Sequence, residues 1–145
     1  MNITRTRYLV GTACALMMLA SACGEPISDK YSIEDNPVTL EEVPGSELWK
    51  VTLTQRATER LGIETTEVSL SDSALVVPSS ALWLDTAGVF WVYTSPEPNV
   101  YLRHAVAVTD DDGLFAKLSE GPAAGIRVVT VGVSELFGAE VGVGK

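Results

Sequence analysis

Residues 81–94 read Ala81-Leu82-Trp83-Leu84-Asp85-Thr86-Ala87-Gly88-Val89-Phe90-Trp91-Val92-Tyr93-Thr94. Two short apolar runs flank a four-residue stretch of turn formers. That is the pattern of a β-hairpin, with strands at 81–84 and 89–94. In the second strand Val89, Trp91 and Tyr93 alternate with Phe90 and Val92, so both faces are apolar. A strand of that kind belongs in the middle of a sheet with packing on both sides.

Downstream, residues 95–99 carry Pro96 and Pro98 and read as a loop. Residues 100–108 form a long strand in which Leu102, His104, Val106 and Val108 share one face by the two-residue period. Asp110-Asp111-Asp112-Gly113 is a turn, and residues 114–118 return as the second arm of a hairpin. Gly121-Pro122-Ala123-Ala124-Gly125 turns the chain into a strand at 127–131. A turn of helix follows at 134–137, and the glycine-rich tail from Gly138 reads as frayed.

Upstream, Trp49 starts the first patterned segment, a strand over 48–53. Thr54 is placed to cap a short helix at 55–61, and Gly62 suits the position just past its end. Residues 63–70 and 74–77 are β-prone and are split by Ser71-Asp72-Ser73. The expected fold is therefore mainly β: a small antiparallel roll or barrel-like domain with one short helix, built from seven or eight strands.

Residues 23–47 are acidic and proline-bearing and show no sustained period. They read as a flexible tether ahead of a folded domain at 48–145. Before the tether, Arg5 and Arg7 precede an apolar run that ends in Leu19-Ala20-Ser21-Ala22-Cys23. A basic start, a short apolar stretch and small residues before a cut form a secretory signal. The run is too short for a comfortable membrane span, which needs about 20 apolar residues. With Cys directly after the small residues it resembles a bacterial lipoprotein signal, although Ala20 stands where a larger aliphatic residue is usual.

That resemblance implies removal of residues 1–22 and lipidation of Cys23. The mature protein would sit outside the cytoplasm, anchored to a membrane by acyl chains, with inner and outer membranes both open. Two chains suffice for stable anchoring. Cys14 lies in the signal, which leaves no second thiol for a disulfide or a Cys-based metal site.

The chain has 10 basic and 19 acidic side chains and a formal net charge of −9. Loss of Arg5 and Arg7 would make it more negative by two. Such a charge disfavours nucleic acid. It is also repelled by anionic headgroups, so the lipid must do the anchoring.

No residue set converges on chemistry. His104 is the sole histidine and reads as a packed or edge residue. Asp110-Asp111-Asp112-Gly113 lacks the alternating ligands and distal Glu of a calcium loop. Glu34-Asp35 and Glu41-Glu42 read as solvated charge. Trp91 reads as core, while Trp49 and Trp83 are the candidate interaction residues. No phosphate or dinucleotide loop is present, and no enzyme, cofactor or metal is expected.

The order Pro78-Ser79-Ser80-Ala81-Leu82, Asp85-Thr86-Ala87-Gly88, Val89-Phe90-Trp91-Val92-Tyr93, Gly121 through Gly132 and Glu135-Leu136-Phe137-Gly138-Ala139-Glu140 resembles the periplasmic adaptor, or membrane fusion protein, family. The likeness is to the C-terminal, membrane-proximal β-domain of the resistance-nodulation-division and hemolysin-secretion-D-like adaptors. Val51-Thr52-Leu53-Thr54 and Leu61-Gly62-Ile63-Glu64-Thr65 are similar to the strand–helix–strand that opens the same domain. Pro122 stands where that family usually has Leu, and Ile126 where a polar residue is usual.

Full adaptors insert a lipoyl-like domain, a long helical hairpin and a barrel between the two halves of this domain. Here a few residues join Val68 to Val77. The resemblance therefore implies a stand-alone module in an efflux or export complex. Its partners would be an inner-membrane transporter or other adaptor subunits. An extracytoplasmic binding module for a small ligand or a cell-wall component is the alternative.

Overall fold

The computed structural model describes residues 36–142. The signal segment, Cys23 and residues 24–35 of the expected tether lie outside the described residues. The architecture is mainly β, a curled antiparallel sheet with two short helices.

The first strand, β1 (Val38–Glu42), falls inside the stretch expected to be tether. It pairs antiparallel with β2 (Trp49–Leu53), Leu40 opposite Val51. Val38 and Leu40 pack on a buried cluster, and this apolar alternation outweighs the local acidity. Helix α1 (Gln55–Leu61) matches expectation at both ends. The Thr54 hydroxyl accepts from the Ala57 N–H at 3.2 Å, and Gly62 closes the helix at φ 62°.

Strands β3 (Glu64–Glu67) and β4 (Ser69–Ser71) are nearly one run broken at Val68. Asp72 and Ser73, both at positive φ, then turn the chain into β5 (Ala74–Pro78). The strand expected at 81–84 is shortened. Ser79–Ala81 form a 3-10 turn closed by Leu82 N–H donating to Ser79 C=O, which buries Ala81 completely. Only Trp83–Leu84 remain as β6.

Asp85 and Gly88 build the hairpin turn into β7 (Phe90–Glu97). The proline-bearing loop expected at 95–99 is instead strand and tight turn. β7 runs through Pro96, where the ladder slips register between Thr94 and Glu97, and Asn99 turns at φ 63°. Such a slip is where a strand tolerates a residue with no N–H. β8 (Val100–Asp111) is longer than expected and carries irregularities after Ala107 and Val108. Val106 and His104 share a face in the regular part of the ladder, yet Val106 is buried while His104 is exposed.

β9 (Phe115–Glu120) and β10 (Arg127–Val131) follow as expected. The helical turn expected at 134–137 is a full helix, α2 (Val133–Val141), which runs through Gly138. The chain thus has two short helices, and the described part of the tail is held rather than frayed. Leu136 and Glu140 are buried beneath it.

The sheet order is β3-β10-β7-β8-β9-β5-β4. Its two terminal strands are consecutive in the chain, so the path through the sheet returns to the segment it left. Val68 marks the join: its N–H donates to Ile126 C=O and its C=O accepts from Gly125 N–H, both at 2.8 Å.

The curl encloses one core, made of Val68, Val77, Ala81, Val92, Val106, Ala116, Leu118 and Val128. A second core lies on the other face of β7 and β10. There Val51, Leu53, Tyr93, Tyr101 and Val129 meet Val133 and Leu136 of α2. Val92 faces one core and Tyr93 the other, so β7 is central with two buried faces. Each fully buried Val or Leu contributes about 1.5–3 kcal/mol relative to exposure.

Candidate functional site

Three polar side chains meet under α2. Tyr93 comes from β7, Arg103 lies directly opposite it on β8, and Glu140 comes from the last turn of α2. The Tyr93 hydroxyl donates to Glu140 Oε2 at 2.5 Å. Arg103 Nη2 stands 3.3 Å from Glu140 Oε1, close enough for an ion pair. It is not aligned for a hydrogen bond, since Oε1 has no donor and Arg103 Nε no acceptor. The Glu140 side chain is 1% exposed and that of Arg103 15%. A carboxylate so deep is tolerable only beside a counter-charge and a donor. Burial, and then the bond to Glu140, push the Tyr93 hydroxyl well above the usual tyrosine range. Tyr93 therefore stays a neutral donor.

Aromatic rings frame the arginine. Its guanidinium lies 4.4 Å from the Trp91 ring centroid and 5.8 Å from that of Phe137. Such stacking offsets part of the cost of burying the cation. Trp83, cross-strand from Trp91, packs on Phe137 with centroids 4.5 Å apart. Asp85 fixes Trp91 from the hairpin turn: its Oδ2 accepts from the indole N–H at 2.9 Å. Its Oδ1 accepts from the Ala87 and Val89 N–H groups. These bonds, that to Val89 first and that to Trp91 next, hold the Asp85 carboxyl below the usual carboxylate range.

Beside this cluster a groove of about 510 Å³ opens between the β1–β2 hairpin and the end of α2. Leu40, Glu47, Trp49, Arg103, Glu140 and Val141 line it. Leu40, Trp49 and Val141 give it an apolar and aromatic part, Glu47 adds a carboxylate, and Arg103 and Glu140 are paired with each other. The arrangement can hold an apolar or amphipathic segment. It offers no nucleophile with a base beside it.

The two tryptophans expected to interact are therefore in different settings. Trp49 faces the groove, while Trp83 is half-buried against Phe137, with an indole N–H that finds no acceptor. Trp91 is half-buried under Arg103 rather than sealed in a core. His104 sits exposed on β8, past the stretch paired with β2 and before the stretch paired with β9. Cys23 lies outside the described residues.

Asp111 and Asp112 serve a turn. Asp111 Oδ1 accepts from Gly113 N–H, and Asp112 Oδ1 accepts from the Leu114 and Phe115 N–H groups. Among the described residues no three His, Cys, Asp or Glu side chains are grouped to hold a metal ion. No described helix is long and apolar enough to cross a membrane.

The Tyr93–Arg103–Glu140 cluster is not among the sites expected from sequence. A signal for it existed. Val133, Leu136 and Glu140 recur at helical spacing, which puts the carboxylate on the buried stripe. Comparison with protein-family models, with curated proteins and with solved structures finds no match for this chain.

Proposed function

We propose that this protein is a lipid-anchored accessory, or shortened adaptor, subunit of an efflux or export complex. In this reading Cys23 carries the acyl chains. The β-domain works through contacts with an inner-membrane transporter or with other adaptor subunits, and it performs no catalysis.

The observation that carries the reading is the ordered run of motifs from Pro78 to Glu140, set on a curled antiparallel sheet. Two features support it. The domain opens as strand, helix, strand through β2, α1 and β3. The two-residue turn at Asp72-Ser73 then stands where full adaptors insert their other domains.

The test is fractionation and co-purification of the full chain from its own cells. The wild type should sediment with membranes and bring down a transporter. Cys23→Ser should yield a folded protein in the soluble fraction and lose export. Normal export in a deletion strain, with no transporter recovered, would end the proposal.

A second reading is an extracytoplasmic module that binds a small ligand or cell-wall component. The Trp49 groove favours it. A ligand-dependent change in tryptophan emission that disappears in Trp49→Phe, with no transporter bound, would select this reading.

A further inference from the structure

The outside of the curled sheet is covered unevenly. Over β7, β10 and β2 the outer face is sealed by α2 and by the second core. On the β9–β5 side, Leu75, Val77, Ala116 and Leu118 point into the first core. Ala74, Val76, Pro78 and Phe115 therefore point outward. Pro78 is directly opposite Phe115, and Val76 opposite Lys117. Leu114, at the neighbouring hairpin tip, is 73% exposed and Phe115 is 55% exposed.

Adjacent large apolar residues at that exposure cost solubility unless something covers them. Their backbone is also held in place. Asp112 Oδ1 accepts from both of their N–H groups at 2.8 Å, and Asp111 Oδ1 accepts from the Ser79 hydroxyl at 2.5 Å. The tip is thus tied to the 3-10 turn after β5, so little freedom is left to lose on docking.

The rim decides what can dock. Asp110, Asp111 and Asp112 border the apolar pair, and the nearby Lys117 already faces Asp110 at 3.6 Å. A negative lipid surface would be repelled by such a rim. A second copy would set the same acidic rim against itself.

We propose that Val76, Pro78, Leu114 and Phe115 form a docking surface for another protein, whose matching patch is an apolar socket bordered by Lys or Arg side chains. The inference rests on the reading above that the domain works by protein contacts, and it names the face that makes them.

The test uses the full-length, isotope-labelled protein. The probes are a short peptide of alternating Leu and Lys, its Leu/Glu counterpart, and vesicles of phosphatidylglycerol. The Leu/Lys peptide should shift amide resonances at 74–78 and 110–117. Leu114→Ser/Phe115→Ser should weaken this by about tenfold or more while leaving the rest of the spectrum unchanged. Added salt should weaken it too. Shifts located elsewhere, equal shifts with the Leu/Glu peptide, or binding to vesicles instead would overturn the proposal.

A photo-crosslinking residue placed at position 115 or at position 49 in living cells separates two kinds of failure. Adducts to the transporter from 49 alone would move the contact to the groove and leave the adaptor reading standing. No adduct from either position would remove both.

Discussion

Tyr93, on the central strand, donates its hydroxyl to Glu140, on the closing helix, across 47 residues of chain. The bond joins the middle of the sheet to the last turn of α2. Arg103 completes the connection from the neighbouring strand. Three elements are thereby fixed by one buried polar cluster, and its members should behave as a unit.

Removing one charge should cost more than removing both. Arg103→Leu leaves the Glu140 carboxylate buried without its counter-charge, a loss of about 3–5 kcal/mol. The double change Arg103→Leu/Glu140→Leu should be destabilised by about 1–3 kcal/mol less than the two single changes added together. Denaturant unfolding of the four proteins closes the cycle. Additive effects would mean that the pair contributes nothing as a pair.

Tyr93 should also set an alkaline limit. Its folded pKa is raised above the ordinary tyrosine value of 10.0. The stability it contributes is therefore present below that value and is lost as pH rises through the folded one. Tyr93→Phe should weaken the protein at neutral pH by about 1.5–3 kcal/mol, since the lost bond is to a charged group. It should also flatten the fall in stability above pH 10.0. Unfolding curves at several alkaline pH values, alongside tyrosinate absorbance, measure both effects.

Gly132 caps the start of α2 at φ 89°, and a Cβ there would overlap Ile63 Cδ1. Gly132→Ala should destabilise by about 1–3 kcal/mol from the backbone conformation alone, with the overlap adding to it. Ile63→Val removes the Cδ1 atom. In the Gly132→Ala background it should therefore cost less than it does in the wild type. Thermal unfolding of both single changes and the double change tests the sign.

Acid should loosen two hairpin turns before the rest. Asp112 is held below the usual carboxylate range by the Phe115 and then the Leu114 N–H, and Asp85 by the Val89 N–H and then the Trp91 indole. Both folded values are lowered. Their stabilising effect is therefore full above the ordinary carboxyl value of 3.8 and is lost as pH falls through the folded ones. Amide exchange at 87, 89, 114 and 115 should rise in that range. Asp112→Asn keeps the acceptor oxygen and should remove the pH dependence at 114 and 115 alone.

Strand periods and turn residues made most of the sheet readable in advance. Thr54 and Gly62 bounded α1, Asp85 and Gly88 marked the hairpin, and the doubly apolar β7 is central. The failures have physical causes. β1 was hidden because Glu41 and Glu42 made a strand look like solvated chain, whereas Val38 and Leu40 alone carry its buried face. The length of α2 was hidden because Gly138 and Gly142 suggested fraying, whereas Leu136 and Glu140 anchor it. The polar cluster was least visible. Its members come from β7, β8 and α2, and only pairing across the sheet brings Arg103 opposite Tyr93.

The join at Val68 also sets a timetable. Residues 69–71 can pair with β5 as soon as a two-residue turn forms. Residues 64–67 must wait for β10, which leaves the ribosome some sixty residues later. Contacts that distant form slowly because the loop between them must close first. Until then β3 has no strand partner and invites pairing with other chains. A newly made chain is most vulnerable in that interval, which ends only when the strand just before α2 has emerged.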